Sequence, residues 1–215
     1  MESYNMQESD NSWINIADIM SALMMIFMFI SIAFLFQILN EKEIYKVELN
    51  KALHKEFDKD LHNWQAVITE DNIMRFDSPF QTGSAKIPEN FEKILEDFFP
   101  RYIKVLTHNK FKKEIEEVRV EGHTSYGWGS IEDKKLIYLN NMDLSQQRAS
   151  SVLAYCYSLE NPFINQNRKW LEENLRANGI SFSKPLFMGK SQGIVDSDRS
   201  KRVEFKVLTK EHKKS

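Results

Sequence analysis

An apolar run from Ile14 to Leu39 is interrupted by one charged residue, Asp18, after which no charge appears until Glu41. A helix needs about 20 residues to cross the hydrocarbon core of a bilayer, and this run supplies them. Within it Asn15, Asp18, Ser21, Ala22 and Met25 recur at spacings of three and four, so they share one helix face. Ile19, Met20, Leu23, Met24, Phe27 and Phe34 occupy much of the remaining circumference. Small and polar residues let a second helix approach closely, so the pattern predicts a packed face and a lipid face. Ser12 with Asn15 offers a cap ahead of the run. No Lys or Arg precedes it and no small-x-small site follows, which favours a retained anchor over a cleaved signal.

Behind the anchor, Glu41 to Trp64 is charge-rich with an imperfect stripe of Leu39, Tyr45, Leu49, Ala52 and Leu53. It predicts a helix leaving the membrane, either solvated or paired with a second copy. Short strands are expected at Val67 to Thr69 and Ile73 to Phe76, around a turn at Glu70, Asp71 and Asn72. Pro88 opens a helix through Phe91, Ile94, Leu95 and Phe98. A strand over Ile115 to Glu121 ends at Gly122, and an amphipathic helix over Leu144 to Leu159 stops at Asn161 and Pro162. A third helix, Trp170 to Ala177, is expected to close on Asn178 and Gly179, with strands over Pro185 to Gly189 and Val203 to Leu208. Helices alternating with short strands predict a single transmembrane helix followed by an α/β (α+β) sandwich with its helices on one side of the sheet. The expected divisions are a tail at 1–12, the span at 13–39, a helical linker at 40–66, the globular domain at 67–210 and a tail at 211–215.

A formal charge of −2 over 215 residues, with a pI of about 6.2, gives no sign of a nucleic-acid partner. The lone Cys156 excludes an internal disulfide and falls with Ala149, Val152 and Leu153 in an apolar-periodic run, where a small buried side chain fits. His54, His62, His108, His123 and His212 form no HExxH, no serine sits in a G-x-S-x-G elbow, and Gly127 with Gly129 is no phosphate loop. Neither an enzyme nor a resident metal or cofactor is therefore expected, and His123 reads as a structural hydrogen-bonding residue. Asp18 is different. Ionisable residues inside spanning helices are rare and by default mark ion or proton pathways. The competing reading places Asp18 about 7 to 8 Å along the axis from Trp13, as an end-of-helix aspartate in a passive tether.

Gly122, His123 and Thr124, then Asn141, Leu144, Ser145, Arg148, Ala149 and Val152, then Gly189, and finally Arg202, Val203, Glu204 and Phe205 resemble the signature of the OmpA-like peptidoglycan-associating domain. The likeness runs from about Ile73 to Leu208. It implies that Arg148 recognises a carboxylate of the diaminopimelate stem peptide, a task suited to a planar guanidinium, with Asn141 and Leu144 bordering the site. Without the resemblance, Arg148 reads as an exposed helix residue paired with Glu160 or Asp143. Where the family has an aspartate for the ligand's ammonium this chain has Ser125, which supplies no charge, and Asp143 is a possible substitute. The loop Tyr126 to Leu139 is longer than the usual pattern, and its Trp128 and Tyr138 are able to cover the site or a partner.

An aspartate-bearing anchor joined to an OmpA-like domain is similar to the B subunit of MotA/MotB-type stators, with Trp13, Asp18, Met20 and Ser21 matching that family's motif. The resemblance implies two copies of this chain inside about five MotA-like subunits, ions visiting Asp18, and H+ rather than Na+ as the transported ion. The G-H-T-S run at Gly122 to Ser125 and the stretch Tyr138 to Ser145 further resemble the stator-like subunits of Zorya anti-phage motors, with a flagellar stator as the alternative. The expected site is the bacterial inner membrane, N-terminus cytoplasmic and globular domain periplasmic. Lys42, Lys46, Lys51 and Lys55 follow the span and no Lys or Arg precedes it, so flanking charge alone argues the reverse. A wall-binding domain is useless in the cytoplasm, which decides the expectation.

Overall fold

The computed structural model describes residues 4–77, 79–189 and 193–210, and for 4–12 and 40–42 the backbone alone. The expected tail at 211–215 lies outside the described residues. The chain divides into two compact units, Met1–Val47 and Glu48–Ser215. The first is helical throughout its described residues, as part of helix α1 (Tyr4–Leu61). Among the described residues α1 is the one helix long and apolar enough to cross a membrane. Trp13, Leu23, Phe27 and Phe34 are all exposed in the isolated chain. The Ser31 hydroxyl donates to the Phe27 carbonyl at 2.8 Å, which satisfies it within the helix.

The second unit carries one sheet in the order β1-β2-β5-β3-β4, from β1 (Ala66–Ile68), β2 (Ile73–Asp77), β3 (Ile115–Gly122), β4 (Leu175–Gly179) and β5 (Arg202–Thr209). All neighbours run antiparallel except β3 and β4, which are parallel. Parallel pairing requires a crossover, and α3 (Lys134–Ser158), α4 (Pro162–Gln166) and α5 (Arg168–Asn174) provide it. Strand alternation sorts the sheet into two faces. Met74 and Phe76 on β2, Val203 and Phe205 on β5, and Val118 and Val120 on β3 turn inward and are buried. Arg75, Arg202, Glu204, Arg119 and Glu121 take the other face.

The inward face is closed by α2 (Glu89–Leu106). Phe98 is its hub, with ring centroids 5.0 Å from Phe205, 5.1 Å from Phe76 and 5.4 Å from Phe57. Phe57, Leu53 and Leu49 on the 48–61 stretch of α1 are fully buried. Arg101 ties the two helices with Glu56 at 2.8 Å and Asp60 at 2.9 Å. The boundary at Glu48 thus falls inside the segment 40–66 read as a linker, because its apolar stripe finds cover on α2. Cys156 is fully buried on α3, and burial pushes its thiol well above the ordinary range.

Helix α3 lies against β3 and β4 where both strands end in glycine. A Cβ at Gly122 would collide with the Ser145 carbonyl oxygen. One at Gly179 would come within 2.7 Å of the Gln146 backbone nitrogen. The contact is then sealed by polar bonds, the Gly179 N–H to Gln146 Oε1 at 2.7 Å and the Ser181 N–H to Ser145 Oγ at 3.0 Å.

Several expectations shift. Helix α1 begins well ahead of Ser12, which is therefore not its cap. Helix α3 starts at Lys134 rather than Leu144, capped by Asp133, whose carboxylate accepts from the Lys135 N–H at 2.8 Å. Leu136 and Leu139 point outward in that first part and break the apolar stripe. The expected loop Tyr126 to Leu139 is accordingly a shorter loop and a helical turn. Residues 175–179 are strand, not helix end, so Asn178 and Gly179 form no C-cap. Pro162 begins α4, with Asn161 as its N-cap. The strand expected at Pro185 to Gly189 reduces to a single bridge between Phe187 and Val195.

Gly122→Ala is expected to cost about 3 kcal/mol, the upper range of ordinary overpacking, because backbone rather than a flexible side chain must yield. Urea unfolding of the full chain in detergent measures it.

Candidate functional site

Two sets of residues carry the functional expectations, one in each unit. In the second unit a cleft of about 170 Å³ opens between α3 and the loops around Gly83 and Gly127. Asn141, Leu144, Arg148 and Ser125 all line it, together with Thr124, Trp128 and Lys201. The helical spacing of Asn141, Leu144 and Arg148 puts them on one face of α3. The glycine contacts with β3 hold that face beside the loop that follows the strand. Gly127 and Gly129 have φ of 107° and 55°, conformations that side-chain-bearing residues rarely adopt, and they flank Trp128 at the rim. The amide of Asn141 donates to the Gly127 carbonyl at 3.0 Å and to Ile137 at 2.9 Å, which pins the loop to the helix.

Arg148 is 2% exposed. Its Nε donates to the Ser84 carbonyl and its Nη2 to the Gln81 carbonyl, both at 2.9 Å, and its guanidinium lies 5.0 Å over the Phe80 ring. Burial lowers its pKa to about 10, with no carboxylate offsetting that cost, so it stays charged at neutral pH. The alternative of an exposed Arg148 paired with Glu160 or Asp143 is overturned by this burial. Two of the five guanidinium N–H groups are thereby spent on backbone oxygens. Nη1, which bonds none of the described residues, and the second N–H of Nη2 are left for a ligand, enough for a two-bond grip on a carboxylate. Thr124 Oγ1 is buried on the same wall with no hydrogen-bond partner among the described residues.

Asp143 does not replace the missing carboxylate. It is exposed, accepts from Gln147 at 2.8 Å, and lies outside the cleft lining. Tyr138 does not cover the cleft either, because it packs edge-on against Phe182, as Tyr126 also does. Lys201 was not foreseen. It directly precedes the R-V-E-F run at Arg202, and only the pairing of β5 with β3 carries it to a cleft built largely from residues 124–148.

On the outward face of the sheet, Glu121, His123 and Glu204 are buried with ligand-type atoms within 4.8 Å of one another. His123 Nε2 lies 3.4 Å from Glu204, within reach of a long hydrogen bond, and 3.8 Å from Glu121. Nδ1 makes no hydrogen bond among the described residues. This is the group among the described residues that could hold a metal. Arg202, at 2.5 Å from Glu204, and Lys184, at 4.0 Å from Glu121, already bring the positive charge an ion would supply. Burial lowers the pKa of His123 and favours its neutral form. Burial opposes ionisation of Glu204, yet the hydrogen bond from His123 and the charge and hydrogen bond of Arg202 outweigh it and hold the carboxyl at about 2.

In the first unit Asp18, Ser21, Ala22 and Met25 lie on one side of α1, each exposed in the isolated chain. Asp18 is the sole charged residue between Asp10 and Glu41.

Residues 79–198 match the OmpA family. The Zorya protein ZorB of Escherichia coli is 40% identical over 218 residues, spanning 94% of this chain and 90% of that protein. Among solved structures, the cell wall anchor of the T6SS from Pseudomonas aeruginosa aligns with 74% of this chain and 97% of its own, at 19% identity and a TM-score of 0.49. A putative MotB-like protein from Desulfovibrio vulgaris aligns with 79% of this chain and 96% of its own, at 19% identity and a TM-score of 0.48.

The buried charges dictate an acid response. Glu204 has a folded pKa depressed from 4.5, so its contribution is complete above that value and is lost as pH falls toward about 2. His123, depressed from 6.5, acts in the same direction from higher pH, because the fold resists its protonation. Stability of the full chain is expected to fall steadily below about pH 6.5. Glu204→Gln is expected to lower it at pH 7 and flatten the slope below pH 4.5, read as urea midpoint against pH.

Proposed function

The chain belongs to the OmpA family and to the ZorB proteins, and from that premise we propose that it is the wall-anchored, ion-carrying B subunit of a MotA/MotB-like inner-membrane motor in anti-phage defence. The observation that carries the reading is Asp18, alone among apolar residues on a face of small and polar side chains. A carboxylate so placed needs protein around it, because isolated charge is costly in hydrocarbon. Two copies of α1 inside a ring of about five ZorA-type subunits would supply that enclosure. Ser21, Ala22 and Met25 then form the surface on which the neighbours move.

Protonation at Asp18 removes a charge and so changes how favourably the side chain sits in low dielectric. Each uptake and release of H+ biases packing against the ring and drives its rotation. The second unit resists the reaction torque by holding peptidoglycan in the cleft of Asn141, Leu144, Arg148 and Ser125. A rigid, buried guanidinium suits that task, since it need not be ordered when the ligand arrives. The chain acts as a binding and conducting subunit, without enzymatic chemistry or cofactor, and its second unit lies in the periplasm.

Asp18→Asn is expected to leave expression and peptidoglycan pelleting unchanged while abolishing protection in phage plaque assays. Protection that survives the substitution would leave a passive tether as the better reading. An alkaline phosphatase fused to the C-terminus, active only outside the cytoplasm, is expected to be active, against the direction given by the flanking lysines.

A further inference from the structure

We infer that Glu121, His123 and Glu204 form a zinc site on the outward face of the sheet, in which the ion displaces Lys184 as the counter-charge of Glu121. The inference is independent of the wall-binding reading and of the role of Asp18.

The ligands come from two paired strands. Glu121 on β3 and Glu204 on β5 stand directly opposite one another. His123 follows β3 and is held beside them by its N–H bond to the Arg202 carbonyl at 2.9 Å. Like charges directly opposite destabilise a sheet, and burial removes the water that would screen them. Glu121 is 2% exposed, and its Oε2 has no hydrogen-bond partner among the described residues. Arg202 relieves only the other carboxylate, because it donates to Glu204 Oε1 and leaves Oε2 beside His123. Each strand thus offers an oxygen to the space around His123 Nε2, and only the pairing of β3 with β5 brings the set together, which is why no spacing in the sequence announces it.

The distances suit a metal better than a hydrogen bond. At 3.4 Å and 3.8 Å from Nε2, the two oxygens lie beyond the usual N–H···O range of about 2.7 to 3.2 Å. Ligand atoms at about 2.0 to 2.1 Å from a tetrahedral zinc stand roughly 3.3 to 3.4 Å apart, so small side-chain adjustments close the set around an ion, with water as the fourth ligand. One imidazole with two carboxylates is a zinc-type donor set, whereas Ca2+ and Mg2+ take oxygen ligands. Lys184 shows where positive charge is wanted. Its Nζ lies 4.0 Å from Glu121 Oε2, too far for a hydrogen bond, and its side chain is 56% exposed. It can withdraw into water at little cost, since so exposed an ion pair is weak. Arg202, only 3% exposed, stays with Glu204.

The test titrates the untagged full chain in detergent, stripped by a chelator, with Zn2+ against a competing zinc dye. One ion per chain is expected, with a Kd of about 1 µM or tighter. About a thousandfold excess of Ca2+ or Mg2+ is expected not to displace it. Glu121→Gln keeps the side-chain shape and relieves the facing carboxylates, and it is expected to weaken binding by about fiftyfold or more. Lys184→Ala removes the competing ammonium and is expected to tighten binding by about fivefold. Absence of uptake by the natural chain overturns the inference. Uptake that Glu121→Gln leaves unchanged overturns it too, because the ion then sits elsewhere, as at the surface pair of His54 and Asp58. Should Glu121→Gln fail to fold, Lys184→Ala decides alone, and an affinity that stays the same or falls overturns the site.

Discussion

The close seating of α3 on the ends of β3 and β4 is the constraint from which the second unit takes its form. Two glycines, Gly122 and Gly179, remove the side-chain thickness that separates helix from sheet elsewhere. Ser145 and Gln146 use the resulting proximity to bond the strand ends and the segment that follows. Asn141, Leu144 and Arg148 lie on the same helix and inherit its position. The cleft is thus a by-product of packing, and its geometry is as rigid as the core that supports it.

The two faces of the sheet solve different problems. The inward face is aromatic, centred on Phe98, and obtains its stability from area and ring geometry. The outward face buries Arg75, Glu204, Arg202 and Glu121 among one another. Buried ion pairs are a poor source of net stability, but removing one partner is costly. Such an arrangement makes the fold intolerant of substitution and sensitive to acid, in exchange for a sheet whose register is specified by charge as well as by shape.

Much of this was legible before any coordinates. The spanning run, the strand pair around Asn72, α2 and the last strand follow from periodicity and punctuation, which are local signals. Arg148, Asn141, Leu144 and Ser125 were foreseen as a group through the family motif, and they do converge. What escaped was non-local. Residues 175–179 hold one large buried side chain, Leu175, and become strand because β3 offers them a parallel edge. The early start of α3 was hidden by outward Leu136 and Leu139. The engagement of Arg148 by the backbone at 81 and 84 depends on a loop more than sixty residues away, which no spacing rule reports.

Cys156 is the single thiol of the chain, fully enclosed in α3 and held protonated by its surroundings. Maleimides and oxidants reach thiolates at accessible positions, so this one stays silent in the folded protein. The natural sequence is for that reason already a blank background for chemical labelling. A cysteine placed at an exposed point of the 13–39 stretch of α1 would be the sole reactive group, and pairwise cross-linking could map which of its sides meets a neighbour without first altering the native residue.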